Sequence, residues 1–254
     1  MSDSTSAATV ARWDKAAAEL AALRSLWPKE VPHELPEPVA GPGLAETLIH
    51  WAAARPDDTA MSYYGWTSTW AQLERDVAAV AGWLMARGVG VGTRVAVYMG
   101  NCPQFVQTFL AIGWLGAVYV PANPMYRSEE LRHQLSDSGA THLIAHPHSR
   151  EVVDAALARI DTPIDVTWTD PAAVFAEDSA VSPSSDMPHR IPAAKDAGDW
   201  RRVLASAGVE HVPADPERLA SLNYTGGTTG LPKGCEHTLG HLAYTAVSAL
   251  AGKG

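Results

Sequence analysis

Tyr-Thr-Gly-Gly-Thr-Thr-Gly-Leu-Pro-Lys-Gly, residues 224–234, directly follows the mostly apolar run Leu-Ala-Ser-Leu-Asn at residues 219–223. Its glycines can adopt positive φ at little cost and let a ligand approach the main chain closely. Successive backbone N–H groups in such a turn form a concavity that binds anions. The hydroxyls and the lysine ammonium add further donors. The stretch therefore predicts a polyphosphate site, with these candidate binding residues: Thr225, Gly226, Gly227, Thr228, Thr229, Gly230 and Lys233.

Two other kinds of phosphate loop are excluded by spacing. A Walker loop needs Ser or Thr directly after its lysine, whereas Gly234 follows Lys233. A dinucleotide-binding loop needs G-x-G-x-x-G, and the adjacent Gly226 and Gly227 break that spacing. A flexible Gly/Thr linker is the structural alternative to a binding loop.

Composition indicates a globular protein with a substantial core. The chain has 254 residues, of which 46% are hydrophobic and 19% charged. A chain of this length buries roughly 70–75% of its unfolded surface, as one large domain or two small ones. The net charge of −9 argues against nonspecific nucleic-acid binding, which needs basic surface. A nucleotide remains possible as a ligand, because a phosphate site is a local feature.

The cysteines and the apolar runs favour a cytoplasmic location. Cys102 and Cys235 are too few to stabilise a chain of this size by disulfides, and residues 1–9 lack the basic start of a secretory signal. Residues 105–122 are almost wholly apolar and about long enough for a membrane span. Because glycine, glutamine and proline interrupt this run, we interpret it as a buried helix followed by a buried strand, and we expect no transmembrane segment.

Helix and strand patterns alternate through the middle of the chain, which predicts βαβ units and a mostly parallel sheet. The predicted class is α/β, with helix, sheet and helix layers. Predicted strands are 94–99, 117–120, 142–145 and 164–168, preceded by a strand pair at 60–64 and 66–68 that turns at Gly65. Predicted helices are 13–27, 44–54, 69–87, 103–115, 128–138, 151–160 and 199–207.

Local signals define the ends of these elements and the organisation of the chain. Thr69 and Gln72 fit a capping box, Gly88 suits a left-handed helix end, and Asn101 and Ser128 are expected as helix caps. Prolines make residues 28–43 and 170–197 irregular. Three regions are expected: an N-terminal helix and proline-rich lead-in at 1–43, an α/β subdomain at 44–220, and the phosphate loop with the start of a further subdomain at 221–254.

Residues 224–234 resemble, nearly residue for residue, the phosphate loop of the AMP-forming adenylating enzymes. That superfamily includes acyl-CoA synthetases, luciferases and the adenylation domains of peptide synthetases. Gly226 replaces the usual serine, as in fatty-acyl and related CoA ligases. The resemblance extends in family order over most of residues 44–240, through the segments 88–96, 110–121, 123–131 and 135–140. It implies the N-terminal portion of the adenylate-forming fold.

The resemblance also implies an activity. These enzymes join a carboxylic acid to ATP, releasing pyrophosphate, and in CoA ligases the CoA thiol then displaces AMP to give a thioester. By resemblance the loop would hold the β- and γ-phosphates, with Lys233 and Thr225 as the candidate catalytic residues and Thr225 also touching Mg²⁺. The run Asn-Pro-Met-Tyr-Arg at 123–127 is similar to the acyl-CoA synthetase form and favours a fatty or other aliphatic acid. An aryl-acid CoA ligase and a peptide-synthetase adenylation domain remain alternatives.

The family's later elements have no counterpart in this sequence, and Thr238-Leu239 replaces the common Thr-His. We therefore expect part of a ligase that is inactive on its own, for which a C-terminal half would be the missing partner. The alternative from a different functional class is a noncatalytic nucleotide-binding or interaction module derived from a ligase.

Three other groups of polar residues are weaker candidates. His237 and His241 could share a helix face as metal ligands, but no His-Glu-x-x-His pattern is present. His146 and His148 are expected to be exposed in a loop after a strand. Glu129 and Glu130 are expected in the first turn of a helix, where acidic side chains are favoured by the helix dipole, and not in acid–base catalysis.

Overall fold

The computed structural model describes residues 43–171, 200–225 and 232–251, together with Lys15, Glu19 and Gly41. The chain divides into two compact units, and the larger one comprises residues 39–243. The smaller unit comprises residues 1–38 and 244–254, and in it Lys15 and Glu19 are helical and form an ion pair of 3.9 Å. The rest of the helix expected at 13–27 and most of the irregular segments expected at 28–43 and 170–197 lie outside the described residues.

Helices and strands alternate along the described chain as the sequence predicts. The helices are α1 (Leu44–Ala54), α2 (Trp70–Met85), α3 (Pro103–Trp114), α4 (Ser128–Ser138), α5 (Arg150–Leu157), α6 (Trp200–Leu204) and α7 (Leu239–Ala251). A short 3₁₀ helix, Pro147–Ser149, precedes α5. The strands are β1 (Thr59–Tyr63), β2 (Trp66–Thr69), β3 (Arg94–Tyr98), β4 (Val118–Pro121), β5 (His142–Ala145), β6 (Asp165–Trp168), β7 (Leu219–Thr225) and β8 (Lys233–Thr238).

Six strands form one sheet in the order β6-β5-β3-β4-β7-β8. The first five run parallel, and β8 pairs with β7 antiparallel. After β4 the chain crosses past β3 to form β5 and β6, and it later returns to place β7 beside β4. The expected α/β class with a mostly parallel sheet is confirmed. β1 and β2 form a separate antiparallel pair whose turn uses positive φ at Tyr64 and Gly65.

Both faces of the parallel strands are buried. Val95 and Val97 of β3 pack into one core with residues of α1, α2, α3 and α6. Ala96 and Tyr98 point to the opposite face and pack into a second core with residues of α4 and α5. A strand covered on both sides needs a continuous apolar run, which is why β3 lacks the polar alternation of a half-exposed strand.

Two of the four expected caps form. Thr69 and Gln72 exchange hydrogen bonds at the start of α2, with the Gln72 amide 3.2 Å from Thr69 Oγ1 and the Thr69 amide 2.8 Å from Gln72 Oε1. Gly88 has φ +89°, in the left-handed region. Two expected caps are wrong: Cys102 replaces Asn101 as the N-cap of α3, and Arg127 replaces Ser128 as the N-cap of α4. At α4 the acceptor is supplied from inside the helix, because Glu130 Oε2 accepts the Arg127 amide hydrogen at 2.7 Å.

The apolar run at 105–122 is a helix followed by a strand, as interpreted from its composition. Within the described part of the chain, no helix is both long and apolar enough to cross a membrane.

The chain segment leading into β7 is hydrogen-bonded to α1 and α3, two of the helices that cover the Val95 and Val97 side of the sheet. Trp114 Nε1 donates to the Val209 carbonyl at 2.8 Å, and the Ala214 amide donates to Glu46 Oε1 at 2.8 Å. The Val209 and Ala214 bonds hold the segment that leads into β7. A separate relay joins α6, α3 and α2, in which Trp200 Nε1 donates to Gln107 Oε1 at 2.9 Å and Gln107 Nε2 donates to Asp76 Oδ2 at 2.9 Å.

Candidate phosphate-binding site

The predicted phosphate loop joins β7 to β8. Thr225 ends β7 and lies directly opposite Lys233, which begins β8, and both side chains are exposed. Because β7 is parallel to β4, Thr225 lies at the carboxyl edge of the parallel sheet. Ligands of open α/β sheets bind at that edge. Residues 226–231, which include the predicted binding residues Gly226, Gly227, Thr228, Thr229 and Gly230, lie outside the described residues.

β7 is held in the sheet by its own side chains as well as by its backbone. Ser221 pairs with Tyr119 of β4, and Leu222 packs into the core of the second face. Ser221 Oγ donates to Asn223 Oδ1 at 2.8 Å. The strand is therefore anchored within four residues of Thr225.

Helix α4 contacts both strands at the base of the loop. The Tyr224 hydroxyl donates to Asp137 Oδ2 at 2.6 Å. Burial raises the pKa of Tyr224, and the hydrogen bond to the Asp137 carboxylate raises it further, so the phenol stays a donor at neutral pH. On the other strand, His133 Nε2 lies 2.9 Å from the carbonyl oxygen of Pro232. Since a carbonyl can only accept, this ring nitrogen carries the hydrogen.

Gly234 lies opposite Tyr224 in the hairpin, and the aromatic ring occupies the space above it. A Cβ added at Gly234 would be 3.1 Å from Tyr224 Cζ and 3.2 Å from the hydroxyl oxygen. A side chain at position 234 would therefore require the Tyr224 ring to shift by a few tenths of an ångström.

The described residues at the loop ends suit a polyphosphate that brings its own metal ion. Among the described residues Lys233 has no salt-bridge partner, so its ammonium can interact with an added anion. Thr225 contributes one neutral hydroxyl, which is a weak ligand for Mg²⁺ by itself. In the described ranges no three His, Cys, Asp or Glu side chains converge as a metal site. Mg²⁺ bound by few protein groups is usually held largely by substrate phosphates and water.

His241 forms a helix cap with Thr238, and the His237 ring lies edge-on to it with ring centroids 6.1 Å apart. The Thr238 amide donates to His241 Nδ1 at 3.2 Å, and the His241 amide donates to Thr238 Oγ1 at 3.4 Å. Thr238 thus starts α7, while the following Leu239 is buried. The His241 nitrogen that a zinc site would use accepts a backbone hydrogen bond instead.

The expectation that both histidines of residues 146–148 are exposed is wrong for His146. His148 is exposed, but His146 is only 3% exposed, and its Nδ1 lies 2.8 Å from the Thr169 carbonyl. Burial lowers the pKa of His146, so the neutral ring is favoured there. The sequence could not show this because the chain after β6 covers the end of β5.

Glu129 and Glu130 lie in the first turn of α4, as expected. Glu129 forms ion pairs with Arg132 and Arg159, and the hydrogen bond from Arg132 lowers the pKa of Glu129. Glu130 caps the helix. Both carboxylates therefore have structural partners, and neither is placed for acid–base work.

The contacts of His133 and Asp137 are the part of the site that sequence reasoning missed. Their spacing of four residues places them on one helix face, which the sequence does show. It does not show that this face meets a hairpin formed about ninety residues later in the chain.

The layered fold defines the chain as an α/β protein with a mostly parallel sheet. The chain belongs to the AMP-binding enzyme family, which it matches over residues 48–253. It is 32% identical to a long-chain-fatty-acid–CoA ligase of Bacillus subtilis (strain 168) over 216 residues, covering 82% of this chain and 38% of the ligase. It is 34% identical to a feruloyl-CoA synthase of an Amycolatopsis species over 209 residues, covering 82% of this chain and 36% of that enzyme.

A solved structure is also similar to this chain over part of its length. The fatty acyl CoA synthetase of Mycobacterium tuberculosis superimposes with a TM-score of 0.60 at 27% identity, over 78% of this chain and 35% of the synthetase. The chain is thus similar to the N-terminal portion of the adenylate-forming fold. It spans less than two fifths of the length of these three relatives.

Proposed function

We propose that this chain supplies the phosphate-binding part of an AMP-forming acid–CoA ligase. The observation that carries the proposal is the pairing of Thr225 with Lys233 at the carboxyl edge of the parallel sheet. The pairing brings a hydroxyl and an ammonium to the two ends of a glycine-rich loop. Family membership then indicates which phosphate compound fits there, namely ATP.

The proposed reaction has two steps. A carboxylate oxygen attacks the α-phosphorus of ATP, forming acyl-AMP and releasing pyrophosphate; the CoA thiolate then attacks the acyl carbon, forming the thioester and releasing AMP. In the first step negative charge moves onto the leaving pyrophosphate. Lys233, Thr225 and the loop amides are proposed to stabilise that charge electrostatically. When bound, Mg²⁺ would neutralise charge on the same phosphates, and Thr225 is the candidate residue that would contact it.

The acid is proposed to be aliphatic, on the basis of the resemblance at residues 123–127. The similarity to a fatty-acid ligase and to a feruloyl-CoA synthase is nearly equal, so an aromatic acid is the competing substrate. We also propose that turnover needs the remaining length of such a ligase, which would supply the acid and adenine contacts. A cytoplasmic location is supported by the free thiols of Cys102 and Cys235.

Phosphate binding is testable on the chain itself by calorimetric titration with Mg–ATP and with pyrophosphate. Replacing Lys233 by alanine should weaken pyrophosphate binding roughly 10-fold or more, as expected for a charged hydrogen bond. Lys15→Ala is the matched control, because it removes an equal charge from an exposed site paired with Glu19. Equal losses in both variants would show a nonspecific charge effect and reject the assignment of Lys233.

Turnover is tested by measuring pyrophosphate release with ATP, CoA and either dodecanoate or ferulate. We expect no release from the 254-residue chain. Acid-dependent release would contradict the proposal that further residues are needed. In the longer ligase, thioester formation that is faster with ferulate than with dodecanoate would replace the aliphatic assignment by the aromatic one.

A further inference from the structure

We propose that helix α4 is a clamp for the phosphate loop. In this clamp His133 and Asp137 are positioning residues, and each holds one of the two strand ends that flank the loop. The proposal adds two residues to the proposed phosphate site and rests on that function only for its effect on ligand affinity. Neither side chain would touch the phosphates. Each would act through the strand residue that it holds.

The clamp residues contact equivalent positions on the two strands. Asp137 accepts the hydrogen bond of Tyr224, the residue directly before Thr225. His133 bonds the carbonyl of Pro232, the residue directly before Lys233. One helix face therefore fixes the residue preceding each of the two candidate phosphate contacts.

The helix itself is firmly attached to the sheet, which is what a clamp requires. Leu131 and Leu135 are almost fully buried in the core of the second face. Gln134 Nε2 donates to the Pro121 carbonyl at the end of β4, at 2.8 Å. Gly139 ends the helix in the left-handed conformation, with φ +63°.

The expected benefit is preorganisation. Ordering a binding group only when the ligand arrives costs affinity. Holding Tyr224 and Pro232 against α4 limits in advance the conformations of their neighbours Thr225 and Lys233. Loss of either contact should therefore loosen the adjoining strand end and weaken binding, without changing the global fold.

The direct test is amide hydrogen exchange of the ligand-free chain, followed by mass spectrometry of peptides covering residues 224–234. His133→Ala and Asp137→Ala should each speed exchange in these peptides roughly 2- to 10-fold, the range expected for one lost hydrogen bond. Peptides from β3 and β5 should be unchanged. Arg132→Ala is the matched control, because Arg132 lies on α4 but pairs with Glu129 instead of the hairpin.

Conservative variants separate positioning from general helix damage. His133→Gln keeps an amide donor and Asp137→Asn keeps an acceptor, so both should exchange nearly as slowly as the parent chain. Tyr224→Phe removes the donor on the other side and should match Asp137→Ala. Should an alanine variant fail to fold, the comparison of Tyr224→Phe with Asp137→Asn still decides the question.

Pyrophosphate titration of the same variants adds the functional readout. We expect affinity to fall roughly 2- to 10-fold in His133→Ala and Asp137→Ala and to be restored in the conservative variants. Unchanged exchange in both alanine variants, or equal acceleration in Arg132→Ala, would overturn the clamp even if the parent chain binds pyrophosphate. If the alanine variants exchange faster than the parent chain but the parent chain binds no pyrophosphate, the clamp is supported and the proposed function is rejected.

Discussion

Single residues at the base of the hairpin show how closely the backbone and side chains are fitted. Tyr224 donates to Asp137, and its ring fills the space that a side chain at position 234 would need. Position 234 therefore disfavours a side chain for a steric reason and not because of an unusual φ, since Gly234 is not among the positive-φ residues.

Gly234→Ala should displace the Tyr224 ring and weaken its bond to Asp137. The added Cβ would be 3.1 Å from the ring, so we expect a loss of about 1 kcal/mol in the free energy of unfolding. Chemical denaturation measures this loss. Gly100→Ala is the control, because nothing lies within 4 Å of its added Cβ. Equal stability of the two variants would contradict the proposed steric fit.

Asp76 provides a pH-dependent prediction. Burial raises the pKa of Asp76 to about 6, although Arg75 and the hydrogen bond from Gln107 act in the opposite direction. The folded state thus favours the protonated acid, and this contribution to stability is fully present below about pH 4 and lost as pH rises through 6.

Asp76→Asn should remove the loss of stability at higher pH, because asparagine keeps an acceptor for the Gln107 hydrogen bond but carries no charge. Relative to the parent chain, its stability should increase by about 1 kcal/mol between pH 4.5 and 7.5, after allowance for solvent screening. Thermal or urea unfolding across this range measures the difference. The exposed Asp57→Asn should show no such change. A pH-independent difference for Asp76→Asn would reject the assignment.

At the scale of elements, the sequence predicted kinds of structure better than their ends. Helix Leu44–Ala54 and the capping box of α2 are confirmed because both depend on neighbouring residues alone. The helix predicted at 199–207 covers only Trp200–Leu204. Its last predicted turn is lost because the backbone at Ala207 packs closely against Gly82 of α2 instead.

That contact predicts an unusual glycine effect. A Cβ at Gly82 would lie 2.0 Å from the Ala207 carbonyl oxygen, so Gly82→Ala must move one element. Gly-to-Ala changes inside helices normally stabilise by roughly 1 kcal/mol, whereas here we expect destabilisation by roughly 2 kcal/mol.

Gly113→Ala in α3 is the matched control for Gly82→Ala. Its closest contact would be Leu44 Cδ1 at 3.1 Å, the end of a flexible side chain, with Leu44 Cβ at an ordinary 3.6 Å. The free energies of unfolding of the two variants, measured in urea, should therefore differ, and Gly82→Ala should be clearly the less stable. Similar stabilities would show that α2 can move away from Ala207 at little cost.

For the whole molecule, the order of strands was not predictable from the sequence. Alternating patterns predict a parallel sheet, but the crossing of the chain past β3 and the return of β7 to β4 depend on contacts between distant residues. The same holds for the site. The loop could be predicted from its own residues, whereas the contacts of His133 and Asp137 required the folded arrangement.

The strand order predicts graded local stability. β3 and β5 lie inside the sheet with covered faces, whereas β8 is its edge and exposes most of its residues. Amides of β3 should therefore exchange at least roughly 100-fold more slowly than those of β8, since edge strands open without disrupting the core. Comparable protection of β8 and β3 in native-state exchange would contradict this order.

The late position of β7 has a consequence for synthesis on the ribosome. Residues 94–168 contain four strands that are neighbours in the sheet, so this part can assemble before residues 219–238 are translated. Until then the side of β4 that β7 later covers is an open edge, which can pair with other chains. A pause in translation after residue 168 would prolong the exposure of that edge, and nascent-chain aggregation would depend on how soon β7 emerges.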